Sequence, residues 1–165
     1  MEKCRIILRE MEVSDDERVT FWIGQPGMAI ELSWKYPVTL EGTRQFFEAA
    51  IKNKSCRLFI IEEKGGLPLG FTMLYGIDLS LREARTGTLI GEENRNKGYA
   101  KESRQLLFDI AFGTLGIERL LSRTRRDNLA ARSFLESASY TLVTNSEDAD
   151  HDQDHYHFEV HPPAS

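Results

Sequence analysis

The stretch that decides the fold is Gly91–Ser103, GEENRNKGYAKES. It lies between an apolar run, GTLIG at 87–91, and an apolar segment of helical spacing, QLLFDIAF at 105–112. Six charged side chains and two glycines at such a junction suit an ordinary solvated loop. They equally suit a backbone cradle for phosphates. Backbone N–H groups at a helix start have no helical acceptor and, with the helix dipole, attract an anion. Gly98 allows a positive φ or close approach of a phosphate oxygen, Ala100 is small, and Arg95 and Lys97 bring positive charge. Neither a P-loop nor a dinucleotide fingerprint is present, which sets nucleoside triphosphate chemistry aside.

Working outward, the segments alternate in period. CRIILRE (4–10) predicts a first strand, and VSDDERVTFWI (13–23) a helix starting near Asp15, with Ser14 and Glu17 at capping-box spacing. GQPGMAIELSWKYPV (24–38) breaks that helix and leaves an irregular aromatic segment, whose Trp34 and Tyr36 are candidates to line an acceptor pocket. Thr39 can cap a second helix with an apolar stripe of Phe46, Phe47, Ala50 and Ile51. Two β-rich runs around Lys64-Gly65-Gly66 read as a hairpin, and 84–92 as a third strand. Leu106, Leu107, Ile110 and Ala111 mark the next helix. IERLLSRTR (117–125) is a strand, NLAARSFLESAS (128–139) a helix capped by Asp127 or Asn128, and YTLV and HYHFEVH the last strands.

This order predicts a single domain over 1–165, with an acidic loop at about 145–154 and a last strand at about 155–160. Its class is α/β of the α+β type: one mixed, mostly antiparallel sheet with flanking helices. A helix leading from the strand at 84–92 to that at 117–125 makes these two parallel neighbours, and a ligand enters where they splay.

The chain has 165 residues and a net charge of −5, a balance unlike that of a nucleic-acid-binding surface. Arg119, Arg123, Arg125 and Arg126 run against it, either as a solvated face or as a site for an anionic ligand. No apolar run is long enough for a membrane span. With two cysteines, Cys4 and Cys56, and no signal peptide, a cytoplasmic protein with reduced thiols is expected. His155 and His157 share a strand face, at a spacing that suits zinc with Asp154 or His161, or simply a solvated rim. Glu147, Asp148, Asp150, Asp152 and Asp154 could draw in a cationic amine or be simply a soluble loop.

Arg95-x-x-Gly98-x-Ala100, in its strand-loop-helix setting, resembles the pyrophosphate motif Gln/Arg-x-x-Gly-x-Gly/Ala of the GNAT family of N-acetyltransferases. NLAARSFLESASY (128–140) is similar to the family's later Asn-x-x-Ala…Glu-x-x-Gly-Phe segment. The agreement runs from about residue 5 to about 142, and within the family the chain looks most like the subgroup of ribosomal-protein N-terminal, polyamine and amino-sugar acetyltransferases.

The resemblance implies acetyl-CoA as cosubstrate and no metal. Its pyrophosphate would lie on the N–H groups of Arg95, Asn96, Lys97, Gly98, Tyr99 and Ala100, with Lys101 close by. Its pantetheine would pair with the backbone of Leu89, Ile90 and Gly91, and Asn128 would touch it from the far side. A backbone N–H near Ile90 would polarise the thioester carbonyl. The acceptor would be an amine of a small molecule or a protein N-terminus, and the oligomeric state stays open, a homodimer included.

Three positions depart from the family. Leu135 stands where many members carry a Tyr thought to protonate the departing thiolate, Ala131 where N-terminal acetylating relatives can use a Ser, and Arg85 where a carboxylate is common. Catalysis therefore falls to another group, with Glu92, Glu83, Tyr36, Tyr75 and His155 as candidates, or to water with an amine of low pKa. Arg85 would assist such an amine by binding its carboxylate or phosphate. An amine of pKa about 10.4 is neutral roughly once in 2,500 at pH 7, against about one in ten for an α-amine. The other reading is a CoA-binding module without turnover.

Overall fold

The computed structural model describes residues 3–144 and 152–164. Its strands are β1 (Ile6–Glu10), β2 (Arg57–Glu63), β3 (Pro68–Asp78), β4 (Glu83–Ile90), β5 (Arg119–Arg125), β6 (Thr141–Leu142) and β7 (His155–Val160). The helices are α1 (Asp16–Ile23), α2 (Met28–Glu31), α3 (Leu40–Lys52), α4 (Tyr99–Phe108) and α5 (Leu129–Ser137). Among the described residues the strands form one sheet in the order β1-β2-β3-β4-β5-β7-β6. Only β4 and β5 pair in parallel, joined across α4, so the expected mixed sheet with flanking helices is present.

Alternation along β4 sorts the two faces of the sheet. Leu89 packs with Trp22 of α1 and Phe47 of α3. Ala84 packs on the other face with Leu107 of α4 and with Leu135 of α5. Helices thus cover both sides, and the sheet divides between them where β4 and β5 part after Arg85–Leu121.

Several local expectations shift. The first capping box is formed by Glu12 and Asp15 around a short 3-10 turn, not by Ser14 and Glu17. Asp15 is recruited by Arg9, whose guanidinium reaches its two oxygens at 3.0 and 2.9 Å, and its carboxylate also accepts the Glu12 N–H at 2.7 Å. In α3, Thr39 caps as expected, accepting the Gly42 N–H at 3.1 Å. The buried face of that helix is Gly42, Thr43 and Phe47, while Ile51 is 69% exposed. The Thr43 hydroxyl sits 2.6 Å from that of Thr20, which turns the helix toward α1. The irregular aromatic segment contains α2, and α4 runs on through a π-helical turn at Asp109–Thr114. No helix of the described residues is long and apolar enough to cross a membrane.

Candidate active site

β4 and β5 pair through Glu83–Arg119, Ala84–Leu120 and Arg85–Leu121, and then part. Beyond that point β4 remains hydrogen-bonded to β3 through Ile90, and β5 to β7 through Arg125. Each strand keeps a partner on its outer side, so the inner edges of Thr86–Ile90 and Ser122–Arg125 are left to a cleft of about 450 Å³. The first turn of α4 closes one end of it, α5 one flank and α2 the other.

At the α4 end the helix start faces the cleft without a side-chain cap. Gly98 is the N-cap at φ 85°, and no side chain caps the helix. Asn96, at φ 62°, also turns left-handed. Both kinks present the loop's backbone to the cleft, and the first-turn N–H groups stay available. A side chain on Gly98 would be strained by its φ and would approach the Arg5 guanidinium at 3.3 Å.

Asn96, Gly98, Tyr99, Ala100 and Lys101 line the cleft, as do Leu89 and Ile90 on β4. Tyr99 does so through its backbone, because its phenol turns into the core and donates to the Glu63 carboxylate, a bond that raises its pKa. Arg95 folds along the edge, donating to the Ile90 carbonyl at 3.3 Å and to Met28 Sδ at 3.0 Å. Asn128 lines the far side, and its Oδ1 accepts the Ala131 N–H at 3.0 Å, so it and not Asp127 caps α5.

Two expected members lie outside the lining. Gly91 gives its N–H to the Leu69 carbonyl at 2.9 Å, and a Cβ there would meet Trp22 Nε1 at 2.6 Å, so its smallness serves packing against α1. Lys97 turns back to the Glu93 carbonyl at 3.0 Å. Glu93, exposed like Glu92, accepts from Trp22 Nε1 at 3.1 Å and from Gln25 Nε2 at 2.9 Å. Desolvation pushes its pKa up, and these hydrogen bonds prevail and hold it below the usual carboxylate range. Glu92 is exposed and donates its backbone N–H to Gln25 at 2.9 Å.

The catalytic and acceptor candidates are spread over the α1–α3 face. Arg85 pairs in register with Tyr75 on one side and Leu121 on the other. Glu83 is engaged by Arg119 at 3.0 Å, and Arg119 also holds Glu159 at 2.6 Å, so Glu83 is a paired carboxylate and a poor base. Trp34 and Tyr36 stack at 5.6 Å and both pack on Phe46. The indole N–H of Trp34 is buried without a partner. His155 Nδ1 and His157 Nε2 meet the two oxygens of Asp152 at 3.0 and 2.9 Å. The residue between them is therefore Asp152, where the sequence suggested Asp154 or His161 as the third member, and no group of three such residues able to hold a metal forms among the described residues. Glu147, Asp148 and Asp150 of the acidic run lie outside the described residues.

The arginines of β5 divide their work. Arg119 is in the ion-pair chain, Arg126 stacks on Tyr156 at 4.5 Å, and Arg123 and Arg125 line the cleft. Arg123 also donates to Ser33 at 3.0 Å, joining β5 to the segment after α2. Thr86, Ser122, Phe134 and Arg104 line the cleft too and were not foreseen as site residues. For Arg104 a signal existed: it stands three before Leu107 and seven before Ala111, on the helix's apolar face.

A family model for the acetyltransferase (GNAT) domain matches residues 5–141. The chain belongs to the GNAT acetyltransferase family. It is an acetyl-CoA-dependent N-acetyltransferase, and the uncapped helix start, the left-handed Gly98 and the flanking cations suit that cosubstrate. Among solved structures, spermidine N-acetyltransferase from Vibrio cholerae in complex with CoA and spermine superposes with a TM-score of 0.85 at 16% identity, covering 96% of each chain. The dodecameric structure of the same enzyme in an intermediate state gives 0.80 at 16% identity, over 96% of this chain and 95% of that one. At such identity the likeness speaks for the fold. No curated protein sequence matches significantly.

Proposed function

We propose that this acetyltransferase works as one domain, in a reducing cytoplasm where Cys4 and Cys56 stay as thiols, and acetylates the primary amine of a small molecule. The observation that carries the reading is the parting of β4 and β5 after Arg85–Leu121, with the uncapped start of α4 facing the gap. In this reading the backbone from Arg95 to Ala100 holds the pyrophosphate, with Lys101 beside it. Leu89 and Ile90 offer strand-edge hydrogen bonds to the pantetheine, and Asn128 borders it from α5.

The acceptor enters from the α1–α3 face, where Gly87, with the Met73 side chain against it, lines the cleft together with Leu32 and Arg123. Tyr75 and Arg85 pair in register on β3 and β4, with Arg85 one residue before Thr86, where the cleft lining begins on β4. Bringing a neutral amine against the thioester in one site supplies much of the acceleration. The amine nitrogen bonds to the acyl carbon, the C–S bond breaks with its electron pair on sulfur, and the surplus ammonium proton passes to water at the open mouth. A cation at Arg85 favours an amine that also carries an anionic group. Thiol release from acetyl-CoA, measured over polyamines, amino sugars, amino acids and peptides, tests the assignment. Turnover with a small amine is expected; acetyl-CoA binding by calorimetry with no turnover on any amine would sink it.

A further inference from the structure

Arg104 is 3% exposed. Its Nη1 donates to Tyr140 Oη at 3.2 Å, and its Nε is buried with no partner. Its guanidinium carbon stands 5.5 Å from the ring centres of both Phe134 and Tyr140. Among the described residues no carboxylate pairs with it. A desolvated guanidinium without an anion is costly, and two aromatic faces and one phenol offset only part of that.

Its position tells which anion it awaits. Tyr140 Oη lies 3.1 Å from Thr86 Oγ1, and Thr86 is the first residue of β4 beyond its pairing with β5. Arg104 thus borders the cleft at its closed end. The phosphate cradle is at the other end, some four residues of β4 away from Thr86, roughly 13 Å at strand rise. A cosubstrate held by its pyrophosphate at Gly98 and extended along β4 delivers its sulfur, not a phosphate, to this floor. Leu135, which also lines the cleft, offers that sulfur no proton.

The geometry points to Arg104 as the counter-ion of the CoA thiolate, a catalytic cation that takes the place of a proton donor. When the acyl C–S bond breaks, the electron pair stays on sulfur beside the guanidinium, and the thiolate leaves as such and is protonated by solvent. Tyr140 is a positioning residue that fixes the guanidinium through Nη1 and through its ring. Since an arginine keeps its proton, stabilisation is by charge and hydrogen bonding alone.

This inference rests on the cleft holding CoA, and the test separates the two. CoA and acetyl-CoA binding are measured by calorimetry across pH, with the thiolate absorbance of bound CoA followed in parallel. In the wild type the bound thiol should titrate below free CoA, so that CoA gains on acetyl-CoA as pH rises. Arg104→Met should return the bound thiol to its free value and, at pH above that value, cost CoA about tenfold more affinity than acetyl-CoA, one pK unit of differential interaction. Arg104→Lys should keep part of the shift, and Tyr140→Phe should weaken it. A bound thiol that titrates like free CoA in the wild type overturns the proposal, whatever the variants do. Equal loss of both ligands in Arg104→Met also overturns it, because Arg104 would then only hold the pantetheine. Failure of the wild type to bind either ligand overturns the cleft assignment, and this inference with it.

Discussion

The indole N–H of Trp22 donates to Glu93 Oε1 at 3.1 Å and ties α1 to the loop that leads from β4 into α4. Trp22 is fully buried, so its donor has no water to fall back on. Glu93→Ala leaves that N–H unsatisfied and should cost about 1–3 kcal/mol in denaturant unfolding. It should also weaken acetyl-CoA, because the loop loses its anchor on α1. An unchanged midpoint would show that the loop is held elsewhere.

Gly98 separates strain from blockage. Gly98→Ala places a Cβ at a left-handed φ of 85° and should cost about 1–2 kcal/mol of stability with modest loss of binding. Gly98→Trp fills the cradle, and acetyl-CoA affinity should fall about a hundredfold, near 2.7 kcal/mol, with the fold retained by circular dichroism. Equal affinities in the two variants and the wild type would remove the α4 start from the site.

Asp152 links acid stability to β7. Desolvation raises its pKa, but the hydrogen bonds from His155 and His157 outweigh this and hold it well below the usual aspartate range. A carboxyl depressed in the folded state contributes stability above its unfolded value, about 3.9, and loses it as pH falls through the folded value. Asp152→Asn should therefore be less stable than wild type at pH 5 and above, with the gap closing in stronger acid. A gap that does not change with pH would assign the effect to packing.

Arg85 bears on acceptor choice. Arg85→Glu reverses the charge beside Tyr75 and should raise the kcat/KM ratio of polyamines over anionic amines by about tenfold. The assay is thiol release on matched acceptors. No change on any acceptor would place Arg85 outside the acceptor site.

Features that depend on a few neighbouring residues were legible in the chain. The Thr39 and Asn128 caps each span three residues, and the left-handed Gly98 at the start of α4 rests on a strand-loop-helix order visible as a change of hydrophobic period. The capping box was misplaced because Arg9, from another element, chose Asp15. The face of α3 was rotated because Thr43 found Thr20 across a helix contact. Glu83 reads as a base from its own segment alone, and Arg119, thirty-six positions on, holds it in an ion pair.

By itself, then, the sequence determined most of the elements and the mixed sheet, since caps, turns and periodicity are encoded within a few residues of where they act. Tertiary structure alone decided that β7 lies between β5 and β6, that Asp152 bridges two histidines, and that Arg104 is a buried cation at the floor of the cleft. Those facts rest on residues far apart in the chain, and the energy of a buried charge is set by whatever folding brings around it.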